Sequence, residues 1–187
     1  MKQPFEAHDA PDILAVWEWF EFPKALLAEE HVHVLRSLTP KSGVTHVLRP
    51  YELRFKSLTL QEIADFFDTQ TVHLELLTMF ALLATTEAIL RIEFNSRVAG
   101  RKRDNLSRRF RAIKKARADR IRLDEDILGA LKSEGMPTSV VGAFRGTLKL
   151  RDWLAHGRHW HPKLGQNYSP GDVFDIAKAL IDSIPAL

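Results

Sequence analysis

Apolar residues recur at helical spacing along most of the chain. The stretch "PDILAVWEWFEFPKALLAEEHVHVLRSL", residues 11–38, carries the i, i+3, i+4 pattern, and Pro11 suits a first turn. Pro23 removes a backbone donor and crowds the preceding turn, which breaks or kinks a helix, so the pattern reads as helices near 11–21 and 23–37. Residues 39–58 are punctuated by proline, glycine and serine and read as a connection, with one short extended piece in "THVLRPYELRF". Thr59 and Glu62 then fit a capping box, in which side chains satisfy the orphan donors of a helix start. A long helix follows over about 60–98 and ends near Gly100; the alternative is two helices divided near Asp68–Thr69.

The second half of the chain repeats these signals in shorter units. Asn105 suits the N-cap of the basic helix "LSRRFRAIKKARADRI", whose apolar stripe is Leu106, Phe110, Ile113 and Ile121. "DEDILGALKSEG" has acids in its first turn and Gly135 at its end, both suited to a short helix. A helix over 137–156 turns Val140, Val141, Phe144, Leu148 and Leu154 inward. After a loop rich in glycine and proline, Ser169, Pro170 and Asp172 open a last helix. No repeat and no long alternating pattern is present, so the expected class is an all-α helical bundle. The division expected is an N-terminal helical extension and connection, residues 1–58, and a helical bundle, residues 59–187.

Composition changes this picture little; charge changes it more. The 187 residues are 45% hydrophobic and 27% charged, as in a folded soluble protein. The chain has no cysteine, which excludes disulfides and thiolate metal sites. "MKQPFEAHDA" holds no apolar signal core, so a cytoplasmic protein is expected. Residues 74–92 are the most apolar stretch, but Glu75, Glu87 and Arg91 interrupt it, and it reads as a buried helix rather than a membrane span. The net charge of +3 hides an asymmetry: between Arg101 and Arg122 stand eleven Lys/Arg against two Asp. Such density favours an anionic partner, and Arg103, Arg108, Arg109, Arg111, Lys114 and Lys115 are the candidate phosphate contacts.

Candidate chemistry lies in "RDWLAHG", residues 151–157. Asp152 and His156 are four apart and share a helical face, while Arg151 is about 140° of rotation from His156. Gly157 is placed to end the helix. Histidine titrates near neutrality and can take or give a proton, and an arginine offers a fixed fork of donors to phosphate oxygens.

The same residues resemble the signature of the HEPN superfamily: an arginine, a polar residue, three more residues, then a histidine, on a late helix. The resemblance implies an up-and-down helical bundle that dimerises and brings two copies of the motif together. It implies a metal-independent endoribonuclease of toxin–antitoxin or defence systems, without a cofactor. The 2′-hydroxyl attacks the adjacent phosphate, His156 does acid–base work, Arg151 stabilises the phosphorane and Asp152 orients one of them. The overlap covers about residues 60–184, with the motif as its specific part. Some toxin members carry a tyrosine two residues after the histidine, which a partner enzyme modifies; here Arg158 stands there. That route of regulation, and any particular antitoxin partner, is therefore not implied.

Other features have plainer readings. His156, His159 and His161 cannot share one helical face, so zinc needs the loop to gather them. Arg158 and His159 are candidate RNA contacts beside the motif. Glu87–Arg91 and Glu93–Arg97 read as ordinary intrahelical pairs, with a sharper reading in which Glu87 faces inward and supports Arg151. Two other functions stay open: a non-catalytic helical module binding RNA or protein through the basic helix, and a DNA-binding regulator.

Overall fold

In the computed structural model, residues 12–39, 49–100, 102–156 and 166–185 are described. Among them every regular element is helical: α1 Ile13–Leu38, a 3-10 turn Pro50–Phe55, α2 Leu60–Ala99, α3 Asn105–Arg117, a π-type turn Leu123–Leu128, α4 Gly129–Ser133, α5 Thr138–Ala155 and α6 Pro170–Asp182. The all-α expectation therefore holds. Two compact units divide the chain, one over Trp17–Thr78 and one over Met1–Val16 with Met79–Leu187.

Several boundaries differ from those the pattern suggested. The expected break at Pro23 is absent, and α1 runs through it as one helix. A proline removes one backbone donor, and the remaining turns keep theirs. The long helix is continuous across Asp68–Thr69. Residues 50–55 form a 3-10 turn, opened by Pro50 and closed on Glu52, and the part of "THVLRPYELRF" before Arg49 lies outside the described residues. The cap of α3 is Asp104, not Asn105: its carboxylate accepts the Ser107 N–H at 2.8 Å.

The unit over 17–78 is built on aromatic packing. Val34, Phe55, Ile63 and Phe67 form its core, flanked by Leu27, Leu35, Leu38 and Phe66. Phe55, Phe66 and Phe67 lie with ring centroids 5.3–5.8 Å apart, which adds edge and stacking attraction to burial. Glu52 is buried beneath this turn. Burial alone raises its carboxyl, but the Arg49 backbone N–H at 2.6 Å, the Arg49 guanidinium at 2.8 Å and His33 Nε2 at 2.8 Å hold it below the usual range. Thr59 and Glu62 close the predicted capping box at the start of α2.

The other unit gathers Leu82, Leu83, Leu90 and Phe94 of α2 with Phe110 of α3, Phe144 and Leu150 of α5, and Val173, Ala177 and Leu180 of α6. α5 packs on α6, and α3 on α4. Phe94 and Phe110 meet at 4.8 Å between ring centroids. On α5 the buried stripe is Val141, Phe144, Thr147 and Leu150, so Val140, Leu148 and Leu154 are only half-buried. Gly135 ends α4 at φ +106, where only glycine is unstrained; its N–H donates to the Lys132 carbonyl and the next, from Met136, to Leu131. Ser169 and Asp172 form a second capping box below Pro170. α2 is also long and apolar enough to cross a membrane by length and composition alone; 28% of its most apolar window is buried.

Asp104 yields a stability prediction. Ser107, whose backbone N–H donates to it at 2.8 Å, helped by Arg97, lowers its carboxyl to about 2 from 3.8. A depressed folded-state pKa stabilises above the unfolded value and loses that contribution as pH falls through the folded one. The wild-type Tm should therefore fall more steeply between pH 4 and pH 2 than that of Asp104→Ala. At neutral pH the variant should be about 1 kcal/mol less stable, the usual worth of an N-cap. Parallel pH–Tm curves for the two proteins would contradict this.

Candidate functional site

The motif falls where α5 ends. Arg151 and Asp152 lie in its last turns, and His156 is the residue at which helical geometry stops, its N–H still donating to the Asp152 carbonyl at 3.1 Å. Gly157, Arg158, His159 and His161 lie outside the described residues, so the readings of glycine termination, RNA contact and a histidine cluster fall there too.

Arg151 reaches across to α2. Its Nη2 donates to Glu87 Oε2 at 2.7 Å and its Nη1 to Asp152 Oδ1 at 3.0 Å. Glu87 in turn accepts from Arg91 on its other oxygen, at 2.9 Å from Nε and 2.8 Å from Nη2. Glu87 is thus both an intrahelical partner and a tertiary one. Its side chain is 16% exposed against 36% for Arg151, so the carboxylate forms the base of the pair and the guanidinium keeps solvent access. The structure brings Arg151, Asp152 and Glu87 together; His156 is exposed, one turn beyond Asp152.

Glu87, Arg151 and Asp152 line a cleft of about 380 Å³, completed by Arg91, Ile121, Arg122, Leu123, Asp124 and Leu148. Four segments build it: the middle of α2, the connection after α3, the π-type turn and α5. Arg145 holds Asp124 in place, its Nε on Oδ1 at 2.5 Å and its Nη2 on the Asp124 carbonyl at 2.9 Å. Arg122 pairs with Glu125 at 2.7 Å. Chemically the cleft offers guanidinium groups to phosphate oxygens, carboxylates to hydrogen-bond donors and an apolar patch to a flat ring.

The basic helix divides by role. Arg111 is structural: its guanidinium donates to the carbonyls of Arg97, Gly100 and Lys102 at 3.3, 3.0 and 2.7 Å, closing the end of α2. Lys114 pairs with Asp119 at 2.8 Å and lines a smaller hollow of about 160 Å³ beside Arg91. Arg108 bonds the Asn105 side chain, and Arg109 lies 3.5 Å from Glu134. Arg103 and Lys115 are exposed, with no side-chain bond to the described residues. Among the described residues no group of three or more His, Asp or Glu is arranged to hold a metal ion.

Arg91, Arg122 and Asp124 were not among the residues expected at the site. Arg91 carried only the signal of an i, i+4 pair; Arg122 sits in the connection after α3, and Asp124, legible only as a first-turn acid, lies in the π-type turn. Comparison with known protein families, curated proteins and solved structures found no match to this chain.

Proposed function

We propose that this chain is a metal-independent endoribonuclease of HEPN type, an up-and-down bundle acting as a homodimer in the cytoplasm as a toxin or defence effector. The observation that carries the reading is the Glu87–Arg151–Asp152 cluster. A half-exposed guanidinium is anchored from behind by a nearly buried carboxylate, at the lip of a cleft and one turn before an exposed histidine. A held cation is what a phosphorane needs, since its charge develops only in the transition state.

In this reading the ribose 2′-oxygen attacks the neighbouring phosphorus and loses its proton to a His156 imidazole. The P–O5′ bond breaks, and the leaving oxygen takes a proton from a second imidazole, supplied by His156 of another copy. The products are a 2′,3′-cyclic phosphate and a 5′-hydroxyl. Arg151 neutralises the non-bridging oxygens, with Asp152 limiting its swing.

The test is RNA incubated with the pure chain in chelator. The reading expects cleavage that His156→Ala abolishes, together with growth inhibition that the same substitution relieves. Intact RNA with wild-type protein, and toxicity indifferent to His156→Ala, remove it.

One observation favours a second reading, a non-catalytic RNA-binding module: both terminal nitrogens of Arg151 already donate to carboxylates, while Arg103 and Lys115 are free of such partners among the described residues. RNA binding lost on reversing Arg108, Arg109 and Lys114 together, but unchanged in Arg151→Ala, would favour that module.

A further inference from the structure

The cleft beside Arg151 is balanced in charge. Its cations Arg91, Arg122 and Arg151 face the acids Glu87, Asp124 and Asp152. A groove built only to hold a phosphate chain has no use for so many carboxylates. A balanced lining around an apolar patch suits a ligand with an anionic end and a flat ring that presents hydrogen-bond donors.

Asp124 is the carboxylate best placed to read such a ring. Glu87 has both oxygens occupied by arginines. Asp124 is instead fixed from one side: Arg145 grips Oδ1 and the backbone carbonyl, and Oδ2 accepts no hydrogen bond from the described residues. An ionised carboxylate only accepts, and Oδ1 retains a second lone pair. Two oxygens at a fixed spacing therefore await two adjacent donors. Ile121, Leu123 and Leu148 of the same cleft offer the ring an apolar wall.

Among the RNA bases one edge fits. Guanine places its N1–H beside its exocyclic amine, two parallel donors for two carboxylate oxygens. Adenine and cytosine set one amine beside a ring acceptor, and uracil sets one N–H between two carbonyls; each of these turns a lone pair toward the carboxylate. We propose that this cleft is a guanine-selective nucleotide pocket, with Asp124 the base-reading carboxylate and Arg91 and Arg151 meeting the phosphate. The proposal deepens the ribonuclease reading and rests on it for RNA as the ligand class.

The test is calorimetric titration of the full chain with 3′-GMP, 3′-AMP, 3′-CMP, 3′-UMP and 3′-IMP. The guanine nucleotide should bind roughly tenfold or more tightly than the first three alternatives, the worth of one bidentate base contact. 3′-IMP, which lacks the exocyclic amine, should lose most of that preference on the unaltered protein. Asp124→Asn, which replaces one acceptor oxygen by a donor, should remove it. No binding, equal affinities in the wild type, or a preference untouched by both 3′-IMP and Asp124→Asn would overturn the pocket. Its fate separates from that of the enzyme: guanine-selective binding by a chain that cleaves no RNA keeps the pocket and removes the nuclease. RNA cleavage without any base preference in the titration does the reverse.

Discussion

Arg151→Ala should lower RNA cleavage by ~10²–10³-fold, the usual cost of losing one donor aimed at transition-state charge. The fall should appear in kcat more than in KM, because the phosphorane carries more charge on its non-bridging oxygens than the substrate does. The fold should survive the change. Glu87, the carboxylate left behind, keeps Arg91 as a partner at 2.8 Å. Glu87→Gln tests the support from behind. It keeps the volume of the side chain and removes the charge that anchors Arg151, so kcat should drop by a smaller factor, roughly tenfold, as expected for a supporting group behind a reacting one. An Arg151→Ala protein that cleaves RNA at the wild-type rate would show that the guanidinium only ties α5 to α2.

The largest loss of stability should come from Arg97→Met. Arg97 is the bulkiest fully buried side chain among the described residues. Its Nε meets Glu93 at 2.5 Å, its Nη1 meets Asp104 at 3.1 Å, and its Nη2 donates to the Pro185 carbonyl. One guanidinium thus joins the last turns of α2, the cap of α3 and the chain just after α6. Methionine replaces the aliphatic stem and leaves Glu93 and Asp104 without their shared cation. The carboxylates left behind keep some solvent, so the loss is that of the charged hydrogen bonds, about 2–3 kcal/mol. Urea unfolding should show that shift, and Arg97→Lys, which keeps the charge but not the three-way fork, should fall between. A Met variant within about 0.5 kcal/mol of wild type, the scatter of a neutral surface change, would contradict the account.

How much of this the sequence revealed follows from how local each signal is. The capping box at Thr59–Glu62, the Ser169 cap of the last helix and the glycine turn at Gly135 each depend on residues within a few positions, and all three are present. Pro23 argued for a break, but the lost hydrogen bond and the crowding of one turn do not divide a helix of 26 residues that continues on both sides. Asp104 displaced Asn105 as cap because two adjacent residues were both competent; what distinguishes them is Arg97, seven positions away and buried. Arg111 looked like one more cation in a basic run. It is a cap for α2 because the chain turns back at Gly100, which composition cannot convey.

The site divides along the same line. Arg151, Asp152 and His156 are legible because they lie within one helix turn and a half. Glu87 was legible as an acid inside an apolar run, where a carboxylate needs a partner. Arg122 and Asp124 were not, since one stands just before the π-type turn and the other inside it, and that turn, which Ile127 closes on the Arg122 carbonyl five residues back, is what carries them to the cleft.

The central claim is that Arg151 and His156 direct attack by a ribose hydroxyl. The most direct measurement is mass spectrometry of the ends formed from a short RNA in chelator, beside the same RNA with hydrogen in place of the 2′-hydroxyl at the cleaved linkage. The account expects a 2′,3′-cyclic phosphate and a 5′-hydroxyl from the first and no cleavage at that linkage in the second. A cut in the deoxy-substituted strand, a 5′-phosphate product, or no cleavage of either strand would contradict it.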